Sequence, residues 1–277
     1  MAKEGYWVTR TYRAGNVWEK SKHFVPGTRP TGKDRRAQRA AIRKQEQNEY
    51  SAQKALARLL NANFTSRDFL LGLDYSAQGM LGLMKWLEGK GVDLEALDED
   101  QERECVWASA EHALELCLRR VKYRLKKEGR ELKAVYITSD MDGSTGDRVR
   151  IHHHLVINAD ARDAFVAAWQ ELGSVDWTRL YDHQEDRTPI AEYMIRQVRR
   201  IPDAKKFRST RNIVRPKPED RIAQSDAELR LPRGAKLQFR AAYGKGQPQY
   251  IRFVMPQQRP MPGGGTGEVC PGEVRRE

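Results

Sequence analysis

The run Arg150-Ile151-His152-His153-His154-Leu155-Val156-Ile157-Asn158 brings metal-ligating side chains together at a usable spacing. In a β-strand successive side chains point to opposite faces, so His152 and His154 share one face, while Ile151, His153, Leu155 and Ile157 share the other. Two imidazoles so placed can hold one divalent metal ion. His153, on the apolar side, is expected to be a core histidine bonded to backbone. A solvated edge tract is the alternative for the triple histidine, but its apolar companions argue for a central strand.

A third ligand should come from the neighbouring strand. Asp140 ends the segment Tyr136-Ile137-Thr138-Ser139-Asp140, opposite the start of the histidine strand, and is the acidic candidate. It reads equally well as the residue opening an Asp-Gly turn. Two imidazoles and a carboxylate suit Mn²⁺, and tolerate Mg²⁺ when waters and phosphate oxygens complete the sphere.

The second reactive group lies on a helix. Period 3.6 puts Ile190, Met194, Val198 and Ile201 on one stripe, with Tyr193, Arg196 and Arg200 beside it. A phenol flanked by guanidinium groups can attack a phosphodiester while the cations bind adjacent phosphates. A boundary tyrosine that packs its ring and exposes its hydroxyl is the competing reading.

The elements that must position these groups follow from pattern. Residues Tyr6 to Phe24 read as two strands around an Ala14-Gly15-Asn16 turn. Lys33 to Phe64 reads as a long helix, basic at first through Arg35, Arg36, Arg39 and Arg43, then apolar. Beyond it come a strand at Asp68–Tyr75, a helix at Cys105–Lys127, strands at Leu132–Asp140 and Val149–Asn158, and a helix at Ala161–Leu172. A strand near Trp177–Tyr181 and a helix at Pro189–Ile201 complete the order βαββαβα. The expectation is an α+β fold whose antiparallel central sheet is built on the 141–147 hairpin, with helices on one face. Leu81 to Glu102, a short apolar helix followed by DLEALDEDQE, reads as an insertion on the rim with a solvated acidic loop. Strands near Lys236–Arg240 and Tyr250–Val254 form a terminal hairpin, and Pro256 to Glu277 reads as disordered. The implied division is 1–62 for N-terminal strands and basic arm, 63–216 for the core, 217–255 for a strand extension and 256–277 for a tail.

Composition narrows the partner. With 50 Lys and Arg against 38 Asp and Glu, the 277-residue chain carries a net charge of +12, which favours a polyanion over a small neutral ligand. No run of about 18 apolar residues exists and the N-terminus lacks a signal-peptide stretch, so no membrane role and a cytoplasmic location are expected. Three cysteines without a CxxC pair argue against a disulfide framework or thiolate zinc site.

These residues carry a resemblance. Leu59 to Tyr75 (LLNANFTSRDFLLGLDY) is similar to the first motif of replication-associated HUH endonucleases of bacterial plasmids and integrated elements, related to the filamentous-phage gene II protein. Arg150 to Asn158 resembles their His-hydrophobic-His motif, Ala191 to Arg196 their Tyr-x-x-Lys motif, and Ser209 to Pro216 a segment that follows the tyrosine helix. The likeness runs from the first strands to about Val254. It implies a ferredoxin-like HUH core that nicks single-stranded origin DNA, leaves a 5′-phosphotyrosine and frees a 3′-hydroxyl for rolling-circle replication. By position it makes His152 and His154 metal ligands and Tyr193 the nucleophile. Arg196, where lysine is usual, becomes a phosphate clamp, since an arginine does not give up its proton. His153 replaces an aliphatic residue, and Asp140 stands where an acidic ligand, commonly Glu, is expected. Gln197 occupies a position where some relatives carry a second tyrosine, which implies a single nucleophile.

DNA contacts are expected from Arg35, Arg36, Arg39, Arg43, Arg200 and Arg211. No P-loop is present, so unwinding would fall to a host helicase and synthesis to a host DNA polymerase. An HUH transposase or relaxase would use the same chemistry. A noncatalytic nucleic-acid-binding module would instead need stacked aromatics on the sheet face.

Overall fold

Strand β5 (Arg148–Ile157) is apolar at three consecutive positions, Leu155, Val156 and Ile157, and β4 (Ala134–Met141) at four, Ala134 to Ile137. Runs of this kind are stable only where both faces of a sheet are covered. The computed structural model, which describes residues 5–27, 49–180, 185–198, 206–225, 227–242 and 246–256, shows that arrangement. Strands β3 (Phe69–Tyr75), β4, β5, β6 (Gly173–Arg179) and β7 (Arg208–Ser209) form a sheet in the order β6-β3-β5-β4-β7, every neighbouring pair antiparallel.

One face of this sheet packs on helices α2 (Ala77–Glu88), α3 (Glu99–Lys127) and α4 (Arg162–Trp169). There Leu71, Leu73, Tyr75 and Leu155 meet Leu83, Leu114, Val121 and Phe165. The other face meets α1 (Glu49–Asn63) and α5 (Thr188–Arg196), where Val135, Ile137 and Val156 bury against Leu56, Leu60, Met194 and Ile195. Helices therefore lie on both faces rather than on one, because the middle strands alternate apolar with apolar instead of apolar with polar. From β3 to α5 the order is β-α-α-β-β-α-β-α, so the architecture is antiparallel α+β with α2 as the added helix.

Only the second half of the acidic stretch departs from the expected loop; Asp93 to Leu97 remains an exposed or half-buried short turn ahead of the helix. Asp98 caps α3 through Gln101 in a reciprocal capping box, and Glu99, Asp100 and Glu102 fill the first turn, where carboxylates are stabilised by the helix dipole. The helix begins six residues before Cys105, where the apolar pattern starts.

The strands at the two ends of the chain meet. β1 (Gly5–Ala14), β2 (Val17–Pro26), β8 (Glu219–Ala223), β9 (Lys236–Ala242) and β10 (Gln249–Val254) pair in the order β8-β1-β2-β10-β9. Helix α1 joins this second sheet to the first. Its Arg58 donates to Glu19 of β2 at 2.8 Å, and the guanidinium lies 3.5 Å from the ring centre of Tyr12. The expected basic arm, with Arg35, Arg36, Arg39 and Arg43, lies outside the described residues, as does the tail beyond residue 256. Among the described residues no helix is long and apolar enough to cross a membrane.

Removing the Arg58 side chain leaves the Glu19 carboxylate, whose side chain is only 7% exposed, buried without its cation. Arg58→Ala should lower the unfolding free energy by about 3–5 kcal/mol, read from urea titrations at neutral pH; a change below about 1 kcal/mol would class the pair with solvated surface bridges.

Candidate active site

Strand β5 sits second from neither edge but in the middle of its sheet, between β3 and β4, so its register fixes both sides of each histidine. His152 pairs with Asp74 and Ser139, and His154 with Gly72 and Ile137. Alternation holds as expected: His152 and His154 face the side of α5, with ring centres 4.9 Å apart, and His153 faces the α3 side.

The two imidazoles converge. Nε2 of His152 lies 3.1 Å and Nε2 of His154 2.7 Å from the terminal amide of Gln197. His152 Nδ1 is 2.9 Å from the Arg150 carbonyl, which can only accept, so in the neutral ring Nε2 turns its lone pair toward Gln197. The Gln197 amide suits either state of such a site. Its N–H groups can donate to both lone pairs, or, turned over, its oxygen can join them around a cation. Burial, reinforced by the neighbouring His152 and opposed by the Gln197 bond, pushes the His154 imidazole down to about 4, which keeps it neutral at pH 7, the state in which an imidazole nitrogen is able to coordinate a metal.

Gln197 is itself held. It caps the C-terminus of α5, its carbonyl accepts from Ser139 Oγ at 2.7 Å, and it is 5% exposed. The hairpin between β4 and β5 presses on it: a Cβ added at Gly143 would stand 2.7 Å from Gln197 Cγ. Tyr193, one turn earlier on α5, puts its ring 5.2 Å from that of His154 and remains 40% exposed. Arg196 and Arg150 line the same open cleft of about 540 Å³, together with Asp74 and Asp142. Asp142 is occupied as a turn former. Its Oδ1 accepts from Ser144 Oγ and from the Ser144 and Thr145 amides, which, with His152 nearby, hold its carboxyl below the usual range.

Asp140 stands elsewhere. Ser139 faces α5, so the next residue turns to the opposite face, where Asp140 bonds Arg103 of α3 at 2.6 Å with its side chain 6% exposed. The geometry therefore gives the third position beside the histidines to an amide and not to this carboxylate. Among the described residues no group of three His, Cys, Asp or Glu side chains converges. Sequence pattern marks Gln197 only as the position where some HUH proteins carry a second tyrosine, because an amide is not an obvious metal ligand; its place four residues after Tyr193, on the same helical face, is the signal that it reaches the histidines. Arg211 is exposed in the turn after β7, beside Ala134. That is five residues along β4 from Ser139, hence about 17 Å from the His152 level. Arg200 lies outside the described residues.

The donor set of two imidazole nitrogens and one amide oxygen, open to solvent on the cleft side, fits a divalent cation of the Mn²⁺ or Mg²⁺ kind that keeps free positions for phosphate. Among the described residues that line the cleft there is no cysteine to select a softer metal.

His153 is a buried polar residue of the opposite core. It is 0% exposed, its Nε2 lies 2.9 Å from Tyr75 Oη and its Nδ1 3.1 Å from Thr138 Oγ1, so its partners are hydroxyls rather than the expected backbone. Because Tyr75 Oη donates to the Ala110 carbonyl, His153 Nε2–H donates to Tyr75 and Nδ1 accepts from Thr138. Burial, with minor help from the flanking histidines, lowers its pKa to about 3. The folded value lies below the unfolded one, so this group contributes stability above about pH 6.5 that is lost progressively as pH falls toward 3. In chelator-treated protein, unfolding free energy should drop between pH 7 and 5 by about 2 kcal/mol through His153. His153→Gln should be less stable at pH 7 yet show a visibly shallower drop; an identical slope would mean that the imidazole already ionises in the folded core.

Compared with family models, curated proteins and solved structures, the chain matches none of them.

Proposed function

We propose that this chain is a metal-dependent endonuclease and strand transferase of the HUH replication-initiator type, nicking single-stranded origin DNA to start rolling-circle replication. The supporting observation is the convergence of His152 and His154 Nε2 on the Gln197 amide, with the Tyr193 ring against His154 in an open cleft that also carries Arg196. The likeness of its motifs to those of HUH replication proteins supplies the biology. The exposed part of this sheet face offers histidine, aspartate and glycine instead of stacked aromatics, which weighs against a noncatalytic binding module.

His152, His154 and Gln197 would hold Mn²⁺ or Mg²⁺, which when bound polarises a phosphoryl oxygen and neutralises developing charge. Tyr193 Oη attacks the scissile phosphorus. The Oη–P bond forms as the P–O3′ bond breaks, leaving a 5′-phosphotyrosine; the phenolic proton passes to solvent, and the departing oxygen takes a proton to become a 3′-hydroxyl. The bond energy stays in the ester, so a later 3′-hydroxyl can reverse the reaction and rejoin strands. Arg196 stabilises the phosphate charge from the cleft wall. A host helicase and polymerase would act on the strand so opened, in the cytoplasm.

Two experiments test the parts separately. Calorimetry with Mn²⁺ should show about tenfold or greater loss of affinity for His152→Ala, His154→Ala and Gln197→Ala, whereas Asp140→Asn should bind normally and lose stability through Arg103. Normal binding by Gln197→Ala together with weak binding by Asp140→Asn would return the third position to the carboxylate.

For the chemistry, Tyr193→Phe should keep single-stranded DNA and Mn²⁺ affinity within a few fold while the covalent protein–DNA adduct disappears from denaturing gels. A surviving adduct would move the nucleophile elsewhere, Tyr181 being the next tested.

A further inference from the structure

Helix α3 is charged oppositely at its two ends. Glu99 to Glu104 holds four carboxylates and one arginine, whereas Arg119 to Lys127 holds six cations and no carboxylate. The buried stripe of this second half, Cys117, Val121 and Leu125, faces the sheet, and all six cations are exposed. Arg124 is engaged by Glu128 at 3.7 Å, while Arg119, Lys122 and Lys126 have no ion pair among the described residues.

The helix dipole does not account for this concentration. It favours cations only within the last turn, and Arg119 and Lys122 lie farther from the end of α3 than that. Arg119, Lys122 and Lys126 follow an i, i+3, i+7 spacing on the outer surface, a row about 10 Å long, with Tyr123 beside them 63% exposed and Lys127 Nζ 4.6 Å from its ring centre. A row of that length is close to the width of a major groove, about 12 Å, so its ends can meet phosphates of both strands.

We infer that the outer face of α3 from Arg119 to Lys127 binds the phosphate backbone of duplex DNA. This surface is distinct from the cleft, because α3 packs on the sheet face opposite that bearing His152 and His154. It does not depend on the cleft chemistry. An anionic membrane fits less well, since the aliphatic neighbours Val121 and Leu125 are 1% and 0% exposed, and Tyr123, the one large exposed ring in the row, is faced by the Lys127 ammonium.

The test uses the full chain with Arg119, Lys122 and Lys126 all changed to Ala, circular dichroism and calorimetric Mn²⁺ affinity serving as checks that the fold and cleft persist. Binding to a duplex of about two helical turns, followed by fluorescence anisotropy across a salt series, should weaken at least about tenfold at ~0.1 M salt, and the log–log salt slope should fall by about 2–3. The charge-preserving set Arg119→Lys, Lys122→Arg and Lys126→Arg should bind like wild type, which separates charge from shape. Duplex affinity and salt slope that do not change in the Ala variant overturn the inference. So does a variant whose duplex binding persists while its binding to phosphatidylserine vesicles is lost, an outcome that assigns the face to a membrane instead.

Discussion

The register of β5 is the constraint on which the rest depends. Its neighbours on both sides and both faces are fixed: Leu155 and Ile157 are sealed under α3 and α4, Val156 under α1 and α5, and His153 is bonded between Tyr75 and Thr138. A slip of one residue would turn His153 into the cleft and carry His152 and His154 into the core, exchanging every buried contact of the strand at once. The buried histidine therefore does more than fill space. Its two hydroxyl partners come from β3 and β4, so it ties both neighbouring strands to the one register in which the flanking imidazoles converge.

The cleft exists because α1 and α5 cover only part of their face of the sheet. They seal Val135, Ile137 and Val156 and stop short of Asp74 and His152, leaving polar positions open to the cleft at one end. The last turn of α5 marks this boundary. Met194 and Ile195 still pack, Tyr193 and Arg196 turn outward, and Gln197 closes the helix beneath the histidines while the Gly143 turn and Ser139 hold it in place. Helix packing and the convergence of the two imidazoles on Gln197 are thus set by the same few residues, so a change in the hairpin would be felt by Gln197 before it reached the imidazoles.

Charge is distributed with a similar division between faces. The acidic start of α3 lies at the end of the sheet that carries His152, where Arg103 meets Asp140 and Arg148 meets Glu99. Its basic end lies at the far end, beyond Leu125 and towards the start of β4. A chain of net charge +12 therefore does not present its cations uniformly.

The sequence by itself determined which residues share a face. Strand alternation separated His152 and His154 from His153, and helical period set Tyr193 beside Arg196, because both follow from local backbone geometry. Local pattern also located most of the strands and helices, although it mistook the capped, acidic first turns of α3 for a loop, since charged turns carry no apolar period. Only the tertiary structure decided which elements meet. It brought Gln197 of α5 beneath two side chains of β5, turned Asp140 away to Arg103, covered both faces of the sheet, and joined strands from the two ends of the chain. None of these contacts is encoded in spacing along the chain; each arises from how buried surfaces in distant segments satisfy one another.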